Sequence, residues 1–206
     1  QVLMNVINET GALPTRNSTD VQFEGANNIS AEAMAEVRES DGRANLVSNA
    51  TCFGCPIECQ RVSVIDPEHF TVKGRPKYQI ESGGLEYEAA WALGAATGVD
   101  DLDALTFCNF ACNEYGMDPI SLGSTIGAAM ELYKDGDITD TDTGGIKLEW
   151  GNAKALVAVV EATGKGEGFG VELGQGSRRM CEKYGRPELS MTVKGQEFPA
   201  YDPRGI

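Results

Sequence analysis

Glu86-Tyr-Glu-Ala-Ala-Trp-Ala-Leu-Gly-Ala-Ala-Thr-Gly98 is followed closely by Asp100-Asp-Leu-Asp-Ala-Leu-Thr-Phe-Cys-Asn-Phe-Ala-Cys-Asn-Glu-Tyr-Gly116 and Asp118-Pro-Ile-Ser-Leu-Gly-Ser-Thr-Ile-Gly-Ala-Ala-Met-Glu-Leu-Tyr-Lys134. Apolar residues recur here at helical spacing and predict helices over 87–96, 102–113 and 120–134. Asp100 and Asp118-Pro119 supply start signals, and Gly98, Gly116, Gly136 and Gly185 supply stops. The same period continues over 152–163 and 171–184, so the fold class is mainly α.

Toward the N-terminus, apolar residues at Val2, Leu3, Val6 and Ile7 predict a helix over 2–8 that Thr10-Gly11 ends, and 11–17 reads as an ordered loop. Ser30 is a good N-cap for a second helix over 31–39, with Glu32 in its first turn. Arg61-Val-Ser-Val-Ile65 and Phe70-Thr-Val-Lys73 are rich in β-branched residues and bracket the turn-forming Asp66-Pro67, which predicts a small hairpin at about 60–81. His69, in that turn, is expected to be solvated. Residues 135–145 are polar, acidic and glycine-bearing and read as a surface connection. The stretch 193–206 has no obvious helix. Gln1 starts the chain with no basic or apolar leader after it, and both ends read as cut points within a larger protein.

Composition narrows the partners. Seventeen basic against 31 acidic side chains leave a formal charge of −14, which repels nucleic acid and anionic lipid. No apolar run approaches the ~18 residues that a membrane-spanning helix needs. Of the six cysteines, Cys52, Cys55 and Cys59 are crowded into eight residues, a spacing that suits a metal better than a disulfide scaffold and points to a reducing compartment, the cytosol.

Cys52-Phe-Gly-Cys55-Pro-Ile-Glu-Cys59 supplies three thiolates on one loop that Gly54 and Pro56 allow to be tight. A [4Fe–4S] cluster takes four, so the fourth comes from Cys108, Cys112 or Cys181, or from another domain. Zinc is the alternative metal, although structural zinc sites usually pair two C-x-x-C knuckles or add histidine, and His69 is the only histidine. Ordinary buried thiols are the remaining reading. Cys108 and Cys112 share a helix face and read as core residues. The radical enzymes that use S-adenosylmethionine are excluded by spacing, since their C-x-x-x-C-x-x-C order is the reverse.

Taken in order, Cys52 to Cys59, Glu86-Tyr-Glu88, Cys112-Asn-Glu-Tyr-Gly-Met-Asp118, Leu148-Glu-Trp-Gly-Asn152 and Lys194-Gly-Gln-Glu-Phe-Pro-Ala-Tyr-Asp-Pro-Arg-Gly205 resemble the middle region of the aldehyde:ferredoxin oxidoreductases. These look like three-domain enzymes with tungsten, less often molybdenum, held between two pterins beside one [4Fe–4S] cluster. The resemblance implies a helical second domain over 1–190 and the start of a third over 191–206. It makes Cys52, Cys55 and Cys59 cluster ligands, with the fourth cysteine in the third domain. The family's pterin-contacting D-x-x-G-L-[C/D]-x aligns with Asn113 to Pro119. Gly116 and Asp118 match; Asn113 and Met117 depart, and asparagine keeps a hydrogen-bond acceptor but loses the charge.

Glu88 aligns with the family's metal-side glutamate, Tyr87 is its neighbour, and Tyr201 aligns with a cavity-lining tyrosine. Without the resemblance, Glu88 would read as a solvated helix-start glutamate and Tyr201 as packing for its loop. No histidine matches the one that joins a glutamate at an interface metal in some members. The implied reaction is oxidation of an aldehyde with water to a carboxylic acid, with electrons passing through the cluster to a ferredoxin or ferredoxin-like acceptor. Partners are then that acceptor, the remaining domains and a small aldehyde. The isolated chain is expected to hold neither cluster nor pterin. A tungsten-dependent aromatic acyl-CoA reductase of the same family is one alternative. A non-catalytic iron–sulfur module and a zinc-stapled interaction domain are the others.

Overall fold

The computed structural model describes residues 3–202, so Val2 of the first predicted helix and 203–206 of the terminal stretch lie outside the described residues. In chain order the helices are α1 (Leu3–Glu9), α2 (Ala31–Ala35), α3 (Tyr87–Leu93), α4 (Leu102–Tyr115), α5 (Pro119–Asp135), α6 (Ala153–Lys165), α7 (Gly170–Leu173) and α8 (Ser177–Lys183). The strands are β1 (Leu46–Ala50), β2 (Gln60–Ser63), β3 (Ser82–Gly83), β4 (Thr192–Val193) and β5 (Gln196–Glu197). None of the described helices is long and apolar enough to cross a membrane.

The mainly helical class stands. The core is centred on α3, α4 and α5, where α3 packs on α5 and α4 on α6. Close approach is enabled by glycine: a Cβ on Gly123 of α5 would lie 2.4 Å from the Ala92 carbonyl of α3. The expected cap stands at Asp118, which accepts from Ile120 N, and the structure adds one at Asn152, which accepts from Ala155 N. At α4 the cap is Asp101 rather than Asp100, because Asp100 instead accepts from the Asn28 amide at 2.8 Å. Gly116 and Gly136 end α4 and α5 in the left-handed conformation.

Two predicted helices are broken. The 87–96 helix stops at Gly94, whose Cβ would strike Ala90 O, and a 3₁₀ turn, Ala95–Thr97, follows. The 171–184 helix is split into α7 and α8 by Gly174 to Gly176, the last at φ +82° and ψ 160°, outside helical space. Helix α2 is shorter than the predicted 31–39. Glu36 is extended and the chain turns back, with Val37 bridged to Ala44.

The predicted hairpin at 60–81 is corrected most. Residues 70–73 form no strand: Val72 N and Lys73 N both donate to His69 O in a tight turn that buries Thr71 and Val72. Strand β2 pairs antiparallel with β1 on one side and β3 on the other, so the hairpin is β1–β2 and its connection carries the three cysteines. His69 is not solvated either; its side chain is 16% exposed, with Nε2 3.2 Å from Asp101 Oδ2 and Nδ1 2.8 Å from Thr71 Oγ1. The 135–145 connection runs mostly at the surface but plugs Ile138 and Thr143 into the interior.

Helix α4 fastens the sheet to the body. The Asn45 amide donates to Asp103 and to Thr106, and the Asn109 amide donates to Gly83 O and Gly84 O at 2.9 and 3.2 Å. Residues 103, 106 and 109 recur at helical spacing, so a single face of α4 holds both the sheet edge and the start of the hairpin. Residues 191–202 return along the body, and Asp202 N donates to Ala12 O.

Candidate functional site

The cysteine loop joins Ala50 of β1 to its partner Gln60 of β2. Inside it, Cys55 N donates to Cys52 O at 3.0 Å, and the Thr51 hydroxyl donates to the carbonyls of Cys52 and Cys55. Gly54 and Glu58 are left-handed, at φ +71° and +54°. For Glu58 that conformation costs roughly 1–2 kcal/mol. Cys52 and Cys59 are exposed and Cys55 half-exposed. Phe53, between them, is 108% exposed, and Ile57 also points to solvent. Among the described residues no three His, Cys, Asp or Glu side chains gather into a group that could hold a metal ion. The donor set is nevertheless the right chemistry: three free thiols on one loop whose left-handed residues reverse the chain around them. Cys108, Cys112 and Cys181 are buried, and burial pushes their thiols up, Cys112 to about 12 and Cys181 to about 11. They are core residues, held away from the thiolate form that a metal needs.

Beside the loop lies an open cavity of about 290 Å³. Glu88, Asn113 and Asp118 line it, and so does Gln60, the residue after Cys59. The same α4 face that fastens the sheet delivers Asn113, one turn beyond Asn109. Gly116, left-handed at φ +69°, caps α4 and turns the chain, so that Met117 half-buries itself and Asp118 opens α5. Both Asp118 oxygens are engaged, Oδ1 by Ile120 N at 2.9 Å and Oδ2 by Ser121 Oγ at 3.1 Å, which fixes the carboxylate at the rim.

Glu88 is half-buried in the first turn of α3, and its Oε2 accepts from Ala200 N at 2.9 Å. Burial raises its pKa, against the lowering effect of that backbone donor. It is therefore more than a solvated helix-start residue. Tyr87, its neighbour, donates to Ala200 O at 2.7 Å, so two adjacent side chains grip residue 200 from both sides. Burial drives the Tyr87 hydroxyl upward, with Glu88 and Tyr201 adding to the effect. Tyr201 is 42% exposed, and neither tyrosine lines the cavity.

Sequence reasoning missed the far wall. Gly84 has no room for a side chain, since a Cβ there would lie 2.2 Å from Ser63 Oγ, and a Cβ on Gly83 would crowd Asn113 Nδ2 at 3.2 Å. Glu86 also lines the cavity, its pKa raised by burial and opposed by Arg61. The Gly83-Gly84 pair, just before the helix start, was the one available signal.

The sequence profile of the aldehyde ferredoxin oxidoreductases, domains 2 and 3, matches residues 1–206. The tungsten-containing aldehyde ferredoxin oxidoreductase of Pyrococcus furiosus is 44% identical over 205 residues, covering 99% of this chain and 31% of the relative. The enzyme of the same description from Thermococcus kodakarensis is 42% identical over 205 residues, with the same coverage. The chain belongs to the aldehyde ferredoxin oxidoreductase family. A more distant relative, the WOR-like subunit of a Pyrococcus furiosus aliphatic sulfonate oxidoreductase, is 27% identical over 133 residues, 64% of this chain and 20% of that subunit. This chain spans about a third of the length of its closely similar aldehyde ferredoxin oxidoreductase relatives. A pterin suits the cavity: Asn113 and Gln60 offer both donors and acceptors, Glu88 and Asp118 offer acceptors, and Gly83 leaves free the space beside Asn113 Nδ2 that a methyl group would crowd.

Proposed function

We propose that the full-length protein is a tungsten-pterin enzyme that oxidises aldehydes to carboxylic acids and passes electrons through a [4Fe–4S] cluster to a ferredoxin-like acceptor in the cytosol. The observation that carries this reading is the juxtaposition of the cysteine loop with the cavity: Cys59 is bonded to Gln60, and Gln60 shares the cavity with Glu88, Asn113 and Asp118. The tungsten–pterin would supply the redox chemistry when bound.

The chain's own residues do the rest. Cys52, Cys55 and Cys59 contribute three thiolates, and a fourth ligand comes from beyond this chain. Asn113, with Gly116 and Met117 shaping its turn and Asp118 at the rim, orients the pterin edge by hydrogen bonds. The loss of charge at Asn113 leaves that contact neutral on this side. Glu88 holds or takes the proton that aldehyde oxidation must shed, since burial brings its carboxyl closer to working pH. Tyr87 acts at one remove, by fixing the backbone of residue 200 beside Glu88.

Metal analysis of the full-length protein tests the reading. Tungsten and iron are expected together, and Cys55→Ser should strip iron and visible absorbance from an anaerobic preparation. Glu88→Gln should keep both metals and lower turnover per tungsten by about 10²–10⁴-fold, the usual contribution of a positioned acid or base. Equal turnover per tungsten across pH would remove Glu88 from the chemistry and leave it as the clamp on Ala200.

A further inference from the structure

The three thiols of the cysteine loop are not equivalent. Residues 52–55 form a β-turn closed by Cys55 N, which donates to Cys52 O at 3.0 Å. Gly54, third in the turn, has φ +71°, and Phe53 before it is not among the residues of positive φ, which is the type II pattern. The Thr51 hydroxyl donates to the carbonyls of both cysteines and ties the two ends a second time. The first and last Cα atoms of a β-turn lie within about 7 Å of each other, and those of a disulfide lie about 4.4–6.8 Å apart. The backbone alone therefore holds Cys52 and Cys55 near bridging range.

Cys59 is held differently. Among the described residues no backbone hydrogen bond closes the chain between Cys55 and Cys59, and the left-handed Glu58 redirects it before Gln60 enters β2. Access separates the loop from the core. Cys52 is exposed and Cys55 half-exposed, whereas Cys108, Cys112 and Cys181 are buried with their thiols pushed up by that burial, so a small disulfide in solution meets the turn and not the core.

We propose that Cys52 and Cys55 form a reversible disulfide in the cluster-free protein, made by exchange with a small disulfide such as oxidised glutathione. Cys52, the more exposed, attacks one glutathione sulfur, so that a mixed disulfide forms and one glutathione leaves. Cys55, held across the turn, then attacks the Cys52 sulfur and the second glutathione leaves. Two protein thiols are oxidised, one glutathione disulfide is reduced, and the two protons given up by the protein end on two molecules of glutathione. The bond withdraws two of the loop's three thiolates from iron. An oxidised loop therefore takes no cluster until a dithiol reduces it. That consequence for iron rests on the cluster reading above; the disulfide itself does not.

The test equilibrates the full-length protein, freed of iron by chelation under argon, with buffers of reduced and oxidised glutathione. Free thiols are then trapped under denaturing conditions and the disulfide is located by peptide mass mapping. Wild type and Cys59→Ser should both show the Cys52–Cys55 bond, with Cys108, Cys112 and Cys181 reduced throughout. Gly54→Ala probes the turn itself, because a Cβ there meets nothing within 4 Å and the change acts only through the left-handed backbone. Its midpoint should need a buffer about fivefold or more richer in oxidised glutathione. Supplied with iron and sulfide, the oxidised wild type should load at least about tenfold less iron than the same protein reduced by dithiothreitol. A dominant bond to Cys59, loop thiols that stay reduced in excess oxidised glutathione, or a Gly54→Ala midpoint equal to that of wild type would overturn the disulfide. Equal iron loading by the two forms would overturn its effect on the cluster. Full-length protein that holds no iron as purified would instead sink the reading of the previous subsection and leave the mapped disulfide standing.

Discussion

The cysteine loop and the α3–α5 body lie side by side and are built on opposite terms. In the body, Leu93, Phe107, Ile126 and Met130 are fully buried and α4 and α5 end in side-chain and glycine caps. In the loop, Phe53 and Ile57 face solvent, and Glu58 sits in a conformation that disfavours a side chain. The loop's exposed side chains add nothing to the core, whereas those of the body make it. The comparison separates residues that make this fold from residues we propose to bind the cluster, and substitutions can break it from either side.

The largest loss is expected at Phe107. Its ring meets Tyr78 edge-on at 5.0 Å and lies 4.8 Å under the Arg75 guanidinium, with no exposure. Phe107→Ala should destabilise the chain by about 3–5 kcal/mol in urea denaturation. A loss under about 1 kcal/mol would mean that the body is not the cooperative unit described. Gly123→Ala comes next. Its methyl group would push on the Ala92 backbone, and about 1–3 kcal/mol is expected from forcing α3 and α5 apart.

Asp101 ties the 69–73 turn to the start of α4 through His69. Although burial works the other way, the His69 contact and the backbone donors at the start of α4 hold its carboxyl below the usual aspartate value. The folded state therefore binds this proton less readily than the unfolded chain. The resulting stability is fully present above the unfolded pKa and is lost as pH falls through the folded one. Asp101→Asn keeps an oxygen for the cap, and should flatten the acid side of the stability profile. Asp101→Ala also removes the cap and should cost about 0.5–2 kcal/mol near neutral pH. Parallel acid limbs in wild type and Asp101→Asn would dismiss the coupling.

Cys55→Ser and Phe53→Ser should change the stability of the metal-free chain least, within about 0.5 kcal/mol by denaturant melts. The same Cys55→Ser change should abolish iron binding in the full-length protein. A large stability loss without metal would show that the loop is part of the body, and the contrast would fall.

Legibility followed the same divide. Helices α4, α5 and α6 were readable from their periodicity, and at α5 the cap at Asp118 and the stop at Gly136 agreed with it. The β1–β2 pairing was not. Leu46–Ala50 has little of the β-branched run that announces a strand, whereas the Thr71-Val72 pair does and still folds as a turn, because Val72 N and Lys73 N donate to His69 O. Helices 87–96 and 171–184 read as continuous because Gly94 and Gly174 to Gly176 break them for reasons of packing and direction, which local pattern does not contain. Among the site residues, Cys52, Cys55 and Cys59 announced themselves by spacing. Asn113, Gly116, Met117, Asp118 and Glu88 were singled out by resemblance to the family.

The sequence alone determined the helical class, the cap at Asp118 and the three-thiol loop, because each depends on residues within a few positions of one another. Tertiary structure decided what those pieces face. It placed Glu88, Asn113 and Asp118 around one cavity beside Gln60, buried Cys181, and drew Tyr87 and Glu88 onto the backbone of Ala200. Those outcomes join residues up to 113 positions apart, and such long-range contacts are set by which faces can bury together, a property of the packed chain that no local window holds.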